Sequence, residues 1–303
     1  MAAAPAPALT DEQLERYLAH VGYPRERHAA DPLALVTELM ARQISRVPFE
    51  SFALHYSQQR VVSLDLDALF DKIVVRRRGG YCMELNGFFA AVLRRLGFTV
   101  LNVGARVQVG GGVYSGWTHM INLVTIAGQR YAVDVGFGRD EALIPLPLQH
   151  GFEFTQVHPQ RGRLEHRALA QHTDPAQRLW VYSSQAAPGA EWVERNAFSE
   201  VEWFAEDYRV SNYHTMFNPT SFFVQNVLAF RGVLNEESGR VEGLLTLFRD
   251  TVKRQMAGDG EAEVVETLKS EEERVKALAK YFGVELTPQE QRGIRGLPSE
   301  LRG

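Results

Sequence analysis

The sequence of 303 residues contains a single cysteine, Cys82. One thiol cannot form an internal disulfide, which excludes a disulfide-stabilised secreted module and favours a reducing compartment. No apolar run approaches the ~18 residues that a membrane-spanning helix requires. The net charge of −4 provides no basic excess for binding nucleic acid or an anionic membrane. These absences favour a globular protein of the cytosol, with no nucleic-acid or membrane partner.

The N-terminus also lacks the features of a targeting segment. Residues 1–8 have neither the basic start nor the long apolar core of a signal peptide, and we expect them to be a disordered leader. The full sequence is 45% hydrophobic and 23% charged, which is ordinary for a globular protein. The length predicts two or three domains. No repeats or coiled-coil heptads are present, and no metal site is predicted.

The first third of the chain has the signals of a small helical bundle, assigned to residues 1–97. Thr10 begins a capping box, and Asp31 precedes a proline at a first helical position. The pattern of apolar residues then predicts the helix bounds. Helices are expected at residues 11–21, 33–44, 66–74 and 82–97.

After residue 98 the sequence becomes rich in β-formers. Strands are expected at residues 98–103, 105–109, 120–126, 130–135, 151–157 and 179–183. Glycine-rich turns between them, such as residues 127–129, indicate an antiparallel barrel or sandwich across residues 98–206. Residues 158–178 are weakly patterned and are expected to be a surface excursion.

The last third, residues 207–303, mixes both patterns and is expected to be an α/β lid. Helices are predicted at residues 200–208 and 271–282, a strand at residues 264–268, and a final capping box at residues 287–290. The predicted fold class is therefore α+β. It combines an N-terminal helical bundle, a central antiparallel β-barrel and a C-terminal α/β lid, with a triad arranged as in cysteine proteases.

Cys82 follows two glycines and begins a helical run in the segment RRGGYCMELN, residues 77–86. A thiol at a helix start faces unpaired backbone N–H groups and the positive end of the helix dipole, which favour the nucleophilic thiolate. A lone cysteine is more often a small buried apolar side chain. The catalytic interpretation therefore requires a base and an orienting acid elsewhere in the chain.

His119 and Asp134 are the candidates for those two roles. His119 follows a glycine-rich loop and opens an apolar strand, although a core histidine bonded to a backbone carbonyl is the alternative. Asp134 interrupts an apolar strand, where a carboxylate is costly unless it is paired. A solvated strand end is the alternative for Asp134. A hairpin joins the two strands, so Cys82, His119 and Asp134 form a candidate catalytic triad.

These residues resemble the arylamine N-acetyltransferase family. Its Arg-Gly-Gly-x-Cys-x-Glu-x-Asn signature matches residues 78–86, its Val-Asp-Val-Gly-Phe-Gly segment matches residues 133–138, and its Pro-Phe-Glu element matches residues 48–50. The resemblance extends from about Leu14 to the C-terminus. The chain departs from the family at two positions. Ser51 stands where the family usually has Asn, and Gln43 stands where it often has His. The length of the chain and residues 158–178 are more similar to eukaryotic, fungal-type members.

The resemblance implies a ping-pong enzyme without a permanently bound cofactor. An acetyl group would pass from acetyl-CoA, through acyl-Cys82, to the nitrogen of a small arylamine, hydrazine or arylhydroxylamine. Because some fungal relatives prefer malonyl-CoA, N-malonyl transfer is the alternative. A Cys-His-Asp amidase or hydrolase and a non-catalytic binding protein are two further hypotheses.

The resemblance also implies the binding residues. Those for the acceptor are Phe49, Val103 and Phe137, each with core packing as its alternative. Those for coenzyme A are Gly116, Thr118, Tyr213 and Ser221, although a mobile surface turn explains the glycines around Gly116 equally well. Glu84 and Asn86 are expected to brace the site, with an ordinary first-turn role as the alternative. Arg78 is a similar brace or a solvated cation.

Overall fold

The computed structural model describes residues 8–259 and 261–302, so the expected leader lies outside the described residues except for Ala8. The fold is α+β, as predicted. The helices are α1 Asp11–Val21, α2 Pro32–Arg46, α3 Ala53–Tyr56, α4 Leu66–Phe70, α5 Cys82–Arg95, α6 Ala205–Phe217, α7 Phe222–Gln225, α8 Glu271–Phe282 and α9 Pro288–Gly293. Within the two described ranges, no helix is long and apolar enough to cross a membrane.

The strands form two antiparallel sheets. They are β1 Phe49–Glu50, β2 Thr99–Gly110, β3 Val113–Ile126, β4 Gln129–Val133, β5 Leu146–Pro147, β6 Phe152–Thr155, β7 Arg161–Arg167, β8 Leu179–Gln185, β9 Trp192–Glu202, β10 Leu228–Asn235, β11 Arg240–Phe248, β12 Thr251–Met256 and β13 Glu263–Thr267. The larger sheet has the order β5-β4-β3-β2-β9-β8-β7-β6, and the smaller has the order β1-β10-β11-β12-β13.

The N-terminal helices follow their capping signals. Thr10 and Gln13 form the predicted capping box of α1, and Gly22 ends that helix in the left-handed conformation. Asp31 accepts a hydrogen bond from the backbone of Ala34 at the start of α2. The short helix expected near residue 70 is α4, which continues as a single π-turn over Asp71–Val75. No pattern in the sequence indicated α3, which is only one turn long.

The larger sheet curls into the predicted barrel-like shape. Its two edge strands, β5 and β6, are separated by only four residues of chain, so a short connection brings the two edges of the sheet together. Side chains of both edge strands, Leu146 and Phe152, pack into one apolar cluster inside the curl. The surface excursion expected at residues 158–178 was wrong in part, because Arg161–Arg167 forms β7 and pairs with strands on both sides.

Two other expectations need correction. Residues 113–118, expected in a flexible loop, belong to β3, so the glycine-rich turn reduces to Gly111 and Gly112. The helix expected at residues 200–208 exists, but its bounds were wrong, since β9 extends to Glu202 and α6 covers Ala205–Phe217.

The smaller sheet connects the two ends of the chain. Its edge strand β1 comes from the first third and pairs with β10, placing Phe49 opposite Phe230. Helix α8 begins at the cap Ser270 and ends at Gly283, as predicted. The three-unit division at residues 97 and 206 stays a prediction.

Candidate active site

Cys82 is the first residue of α5, and the glycines before it allow two segments to approach closely. Gly80 accepts a hydrogen bond from the backbone of Glu50 and donates one to the carbonyl of Pro48. A Cβ atom on Gly79 would lie 1.7 Å from the Pro48 carbonyl oxygen, and one on Gly80 would lie 2.5 Å from a Glu84 oxygen. A larger residue at Gly79 would therefore push the start of β1 away from this turn, and one at Gly80 would displace Glu84 of α5.

The structure brings His119 and Asp134 together. His119 Nε2 lies 2.6 Å from Asp134 Oδ2, and both side chains are buried. Strands β3 and β4 pair so that Asn122 faces Val133, the last residue of β4. Asp134 follows immediately, and its side chain reaches His119 of β3. His119 lies in the middle of β3 and does not open it, contrary to our expectation.

The thiol lies against the same strand. Cys82 Sγ donates to the carbonyl oxygen of Thr118 at 3.7 Å, and Thr118 immediately precedes His119. Because Nε2 of His119 is engaged by Asp134, Nδ1 is the nitrogen left for Cys82. The three predicted triad residues therefore share one buried cluster.

The electrostatics of this cluster favour a charged imidazole. Burial by itself lowers the pKa of His119, but the charge of Asp134 and its hydrogen bond, assisted by Cys82, raise it to about 10. His119 therefore keeps its second proton at neutral pH. An imidazolium next to a thiol is the arrangement that stabilises a reactive thiolate in cysteine enzymes.

Asn86, one turn after Cys82 on α5, ties the helix to the acid. Its side-chain nitrogen donates to Asp134 Oδ1 and to the Met120 carbonyl, each at 2.8 Å, and its oxygen accepts from the backbone of Val135 at 3.0 Å. Asn122 donates back to the Asn86 carbonyl at 2.9 Å. These contacts favour the brace interpretation over an ordinary first-turn role.

Glu84 braces the other side of the helix start. One of its oxygens accepts from the backbone N–H of Tyr81 at 3.0 Å, and the other accepts from Lys72 Nζ at 2.6 Å. Glu50 lies on the far side of Lys72, 4.0 Å away. Burial raises the pKa of Glu84, Lys72 opposes that rise, and Glu50 adds to it. A half-buried cation within 4.0 Å of two buried carboxylates thus supports the segment that presents Cys82.

Arg78 is buried and is not a solvated cation. Its Nη1 donates to Glu290 in α9 at 2.6 Å. Arg78 therefore links α9 to the segment that immediately precedes Cys82.

A cavity of about 620 Å³ is lined by Phe49 and Phe137, and by none of the three triad candidates. The Phe137 ring packs edge-on against His119, with 5.2 Å between the ring centres. Val103 does not line this cavity. It is fully buried inside the barrel, where it packs in the same cluster as Ile121. The structure thus places two of the three expected acceptor residues at the cavity and gives Val103 a core position.

Comparisons with known proteins decide the family. The sequence profile of a family described as N-acetyltransferase matches residues 32–291. The chain belongs to the arylamine N-acetyltransferase family. It is 38% identical to the N-malonyltransferase FDB2 of Fusarium pseudograminearum, over 89% of this chain and 83% of that protein. It is 32% identical to arylamine N-acetyltransferase 2 of Mus musculus, over 69% of this chain and 74% of that protein.

Solved structures of the family share the fold. The Nocardia farcinica arylamine N-acetyltransferase superposes with a TM-score of 0.79 at 32% identity, covering 94% of both chains. The Mycobacterium marinum enzyme in complex with CoA gives a TM-score of 0.77 at 26% identity, covering 93% of this chain and 97% of that one. The protein is thus an acyl-CoA-dependent N-acyltransferase, and an acyl-CoA is its donor substrate.

The four residues expected to contact coenzyme A lie on three elements of this acyltransferase. Gly116 is exposed and Thr118 half-buried on β3, Tyr213 is exposed on α6, and Ser221 precedes α7. Ser211 of α6 donates to the Trp117 carbonyl at 2.9 Å. This hydrogen bond holds α6 against the part of β3 that contains Gly116 and Thr118. No such direct tie joins Ser221 to β3 among the described residues.

No sequence pattern predicted the contacts of two further residues near the site. Asn212 in α6 accepts a hydrogen bond from the Tyr81 hydroxyl, next to the nucleophile. Glu141 is buried, and its carboxylate accepts from the backbone of Phe137 at 3.2 Å and Gly138 at 3.4 Å. Burial, reinforced by Asp134, raises the pKa of Glu141 well above its usual range. Glu141 lies in a polar stretch of sequence, so no pattern marked it as buried.

Proposed function

We propose that this acyltransferase works by a ping-pong mechanism through acyl-Cys82. The Cys82 proton resides on His119 as the imidazolium, the Cys82 thiolate attacks the thioester carbonyl of the acyl-CoA, and coenzyme A leaves with that proton. The amine then attacks the acyl-cysteine, His119 accepts the amine proton, and the Cys82 thiolate is released. The observation that supports this most strongly is the buried His119–Asp134 pair, 2.6 Å apart, next to a thiol at a helix start.

Asp134 would hold the His119 ring and stabilise its charged form, as the third member of a triad does. The backbone N–H of Cys82 occupies the first helical position, where N–H groups have no partner within the helix. We propose that this N–H stabilises the oxyanion of both tetrahedral intermediates.

For the substrates we propose an acetyl group from acetyl-CoA and a small arylamine, hydrazine or arylhydroxylamine acceptor. The rings of Phe49 and Phe137 at the cavity next to His119 support an aromatic acceptor. A role in xenobiotic metabolism in the cytosol fits such acceptors and the single cysteine.

N-malonyl transfer is the second candidate. One observation favours it: relatives named N-malonyltransferase are 38% and 36% identical to this chain over 89% of its length. The acceptor and the triad chemistry would be unchanged.

Steady-state kinetics would test the proposal. Each donor is paired with a simple aromatic amine, and coenzyme A release is followed while both substrates are varied. Parallel double-reciprocal lines, lost in Cys82→Ala, are expected. A rate of coenzyme A release that does not depend on the amine concentration would instead indicate a thioester hydrolase. Absence of any Cys82-dependent turnover with either donor would indicate a binding protein.

A further inference from the structure

Two consecutive residues of α6 contact the chain segments on either side of the Cys82 thiol. Ser211 Oγ donates to the carbonyl oxygen of Trp117 in β3 at 2.9 Å. The carboxamide oxygen of Asn212 accepts a hydrogen bond from the hydroxyl of Tyr81, which immediately precedes Cys82. Because Ser211, Asn212 and Tyr81 are buried, these two hydrogen bonds lie in a low-dielectric environment, where such bonds are strong.

These contacts close into a ring that includes the thiol. Cys82 Sγ donates to the carbonyl oxygen of Thr118 at 3.7 Å, and Thr118 follows Trp117 in the chain. Each link of the ring is therefore either a peptide bond or one of three hydrogen bonds. The members of the ring, in order, are Cys82, Thr118, Trp117, Ser211, Asn212 and Tyr81.

A further contact fixes which end of the Asn212 carboxamide faces Tyr81. The Asn212 nitrogen donates to the backbone carbonyl of Val62 at 3.0 Å, so the Asn212 oxygen is the acceptor for Tyr81. The Tyr81 hydroxyl is the donor, and burial raises the pKa of this hydroxyl well above its usual range. The aromatic ring of Tyr81 has a separate contact, because it stacks on Phe223 with 5.5 Å between the ring centres. Loss of the hydroxyl alone would therefore break the contact with Asn212 and keep the aromatic packing.

The hydrogen bond made by Cys82 is the weakest link of the ring. A thiol is a weak donor, and Cys82 donates to Thr118 only while it carries its proton. Neither the thiolate nor an acyl-cysteine has that proton, so this link is absent in the states that react. The hydrogen bonds of Ser211 and Asn212 do not depend on it. They continue to join the residue before Cys82 to β3 after the thiol has ionised.

We propose that Ser211, Asn212 and Tyr81 are positioning residues that hold the Cys82 thiolate against β3 beside His119. They act through Cys82 and take no part in making or breaking bonds. Asn86 ties α5 to β3 one turn farther along the helix, and the α6 pair supplies the corresponding tie before the helix begins. This inference rests on the proposed function in one respect, because it takes Cys82 as the nucleophile.

The test uses the reactivity of the thiol in the full-length protein. Cys82 is the only cysteine, so the rate of alkylation by iodoacetamide reports on this thiol alone. The rate is measured at about pH 6.5, where an ordinary thiol is almost fully protonated, and at about pH 9, where it is largely ionised. The ratio of the first rate to the second is high when an adjacent imidazolium stabilises the thiolate.

Tyr81→Phe and Ser211→Ala each remove one hydroxyl and open the ring. We expect each variant to lower the alkylation ratio, and to lower kcat/KM for the acyl-CoA by about 10-fold, because a displaced nucleophile loses its alignment. The double variant should lose little more than either single variant, since the ring is already open. Such non-additivity is the behaviour of residues that act as one unit.

Tyr17→Phe is the matched control for Tyr81→Phe. The Tyr17 hydroxyl is buried and donates to the carboxamide oxygen of Gln43 at 2.8 Å, between α1 and α2. Its loss also leaves a buried carboxamide oxygen without a donor, so the free energy of unfolding should fall in both variants. In Tyr17→Phe the alkylation ratio should stay within about 2-fold of the wild type.

Three outcomes would overturn the inference. One is a wild-type alkylation ratio in both Tyr81→Phe and Ser211→Ala, which would make their contacts structural only. The second is a fall of the same size in Tyr17→Phe. The third is a double variant in which the two losses multiply, because the two hydrogen bonds would then act independently. Failure of the proposed function looks different, since the wild type would then form no acyl-Cys82 even though the variants changed the alkylation ratio.

Discussion

Asn86 on the helix that begins at Cys82 donates a 2.8 Å hydrogen bond to Asp134, the proposed acid of the triad. The same nitrogen reaches the carbonyl of Met120, the residue after His119. One carboxamide therefore fixes the position of the helix start relative to both β3 and the segment that follows β4. Since a carboxamide both donates and accepts, it satisfies Asp134 and the backbone N–H of Val135 at once.

Replacing Asn86 with alanine should impair both stability and catalysis. The change leaves a buried carboxylate and a buried carbonyl each short of a donor, which costs about 1–3 kcal/mol. Because Asp134 also loses its orientation, we expect kcat/KM to fall by about 10-fold or more. Urea unfolding and steady-state kinetics measure the two effects.

Asn235→Ala is the matched control for Asn86→Ala. Asn235 is half-buried and donates to Glu242 at 2.6 Å, on strands that carry none of the triad residues. It should lower stability without a comparable loss of kcat/KM. If Asn86→Ala behaves in the same way, its contacts are structural only.

The raised pKa of His119 predicts a pH-dependent stability. The folded state holds the imidazole proton more tightly than the unfolded chain, with the pKa moved from 6.5 to about 10. The associated stabilisation is complete below pH 6.5 and is lost as the pH rises through about 10. Asp134→Asn removes the main partner of that proton, so the fall in unfolding free energy across this window should be smaller in the variant. Equal slopes for both proteins, measured by urea unfolding, would contradict the assigned ion pair.

Two glycines near the nucleophile offer a matched comparison. A Cβ atom on Gly136 would lie 2.9 Å from the Cα atom of Cys82 and 3.0 Å from the Asn86 amide nitrogen. We expect Gly136→Ala to cost about 1–3 kcal/mol of stability through overpacking and to displace the thiol. Gly87, inside α5, has nothing within 4 Å of its would-be Cβ.

Gly87→Ala should therefore stabilise the protein by up to about 1 kcal/mol, because alanine is the better helix former. Thermal unfolding and kcat/KM of both variants provide the check. A loss of activity in Gly87→Ala, or normal activity in Gly136→Ala, would show that close packing at Gly136 does not position Cys82.

Local signals in the sequence were sufficient to select Cys82, His119 and Asp134, which lie in one buried cluster, and to predict several helix ends. Caps such as Thr10 and Ser270 act within one turn of the chain, so their residues lie within three positions of one another. Cys82 and Asp134 were also recognisable from their immediate neighbours. Cys82 lies between two glycines and a helical run, and Asp134 is a carboxylate among apolar residues and glycine.

The sequence was less informative where position depends on distant contacts. Glu50, Lys72 and Glu84 meet in one buried cluster, but only the tertiary fold brings β1, the π-turn and α5 together. Val103 looks the same in sequence whether it faces a cleft or a barrel core. Strand β7 was missed because its inward positions include Gly162, which removes the apolar alternation that marks a strand.

The central step of the proposed mechanism is the transfer of the acyl group to Cys82, and mass spectrometry of the protein tests this step directly. The enzyme is mixed with acetyl-CoA or malonyl-CoA without an amine, digested and mapped. We predict one added acyl group per chain, located on Cys82, lost on addition of an arylamine and never formed in Cys82→Ala. An unmodified Cys82, or an acyl group that persists in Cys82→Ala, would contradict the mechanism.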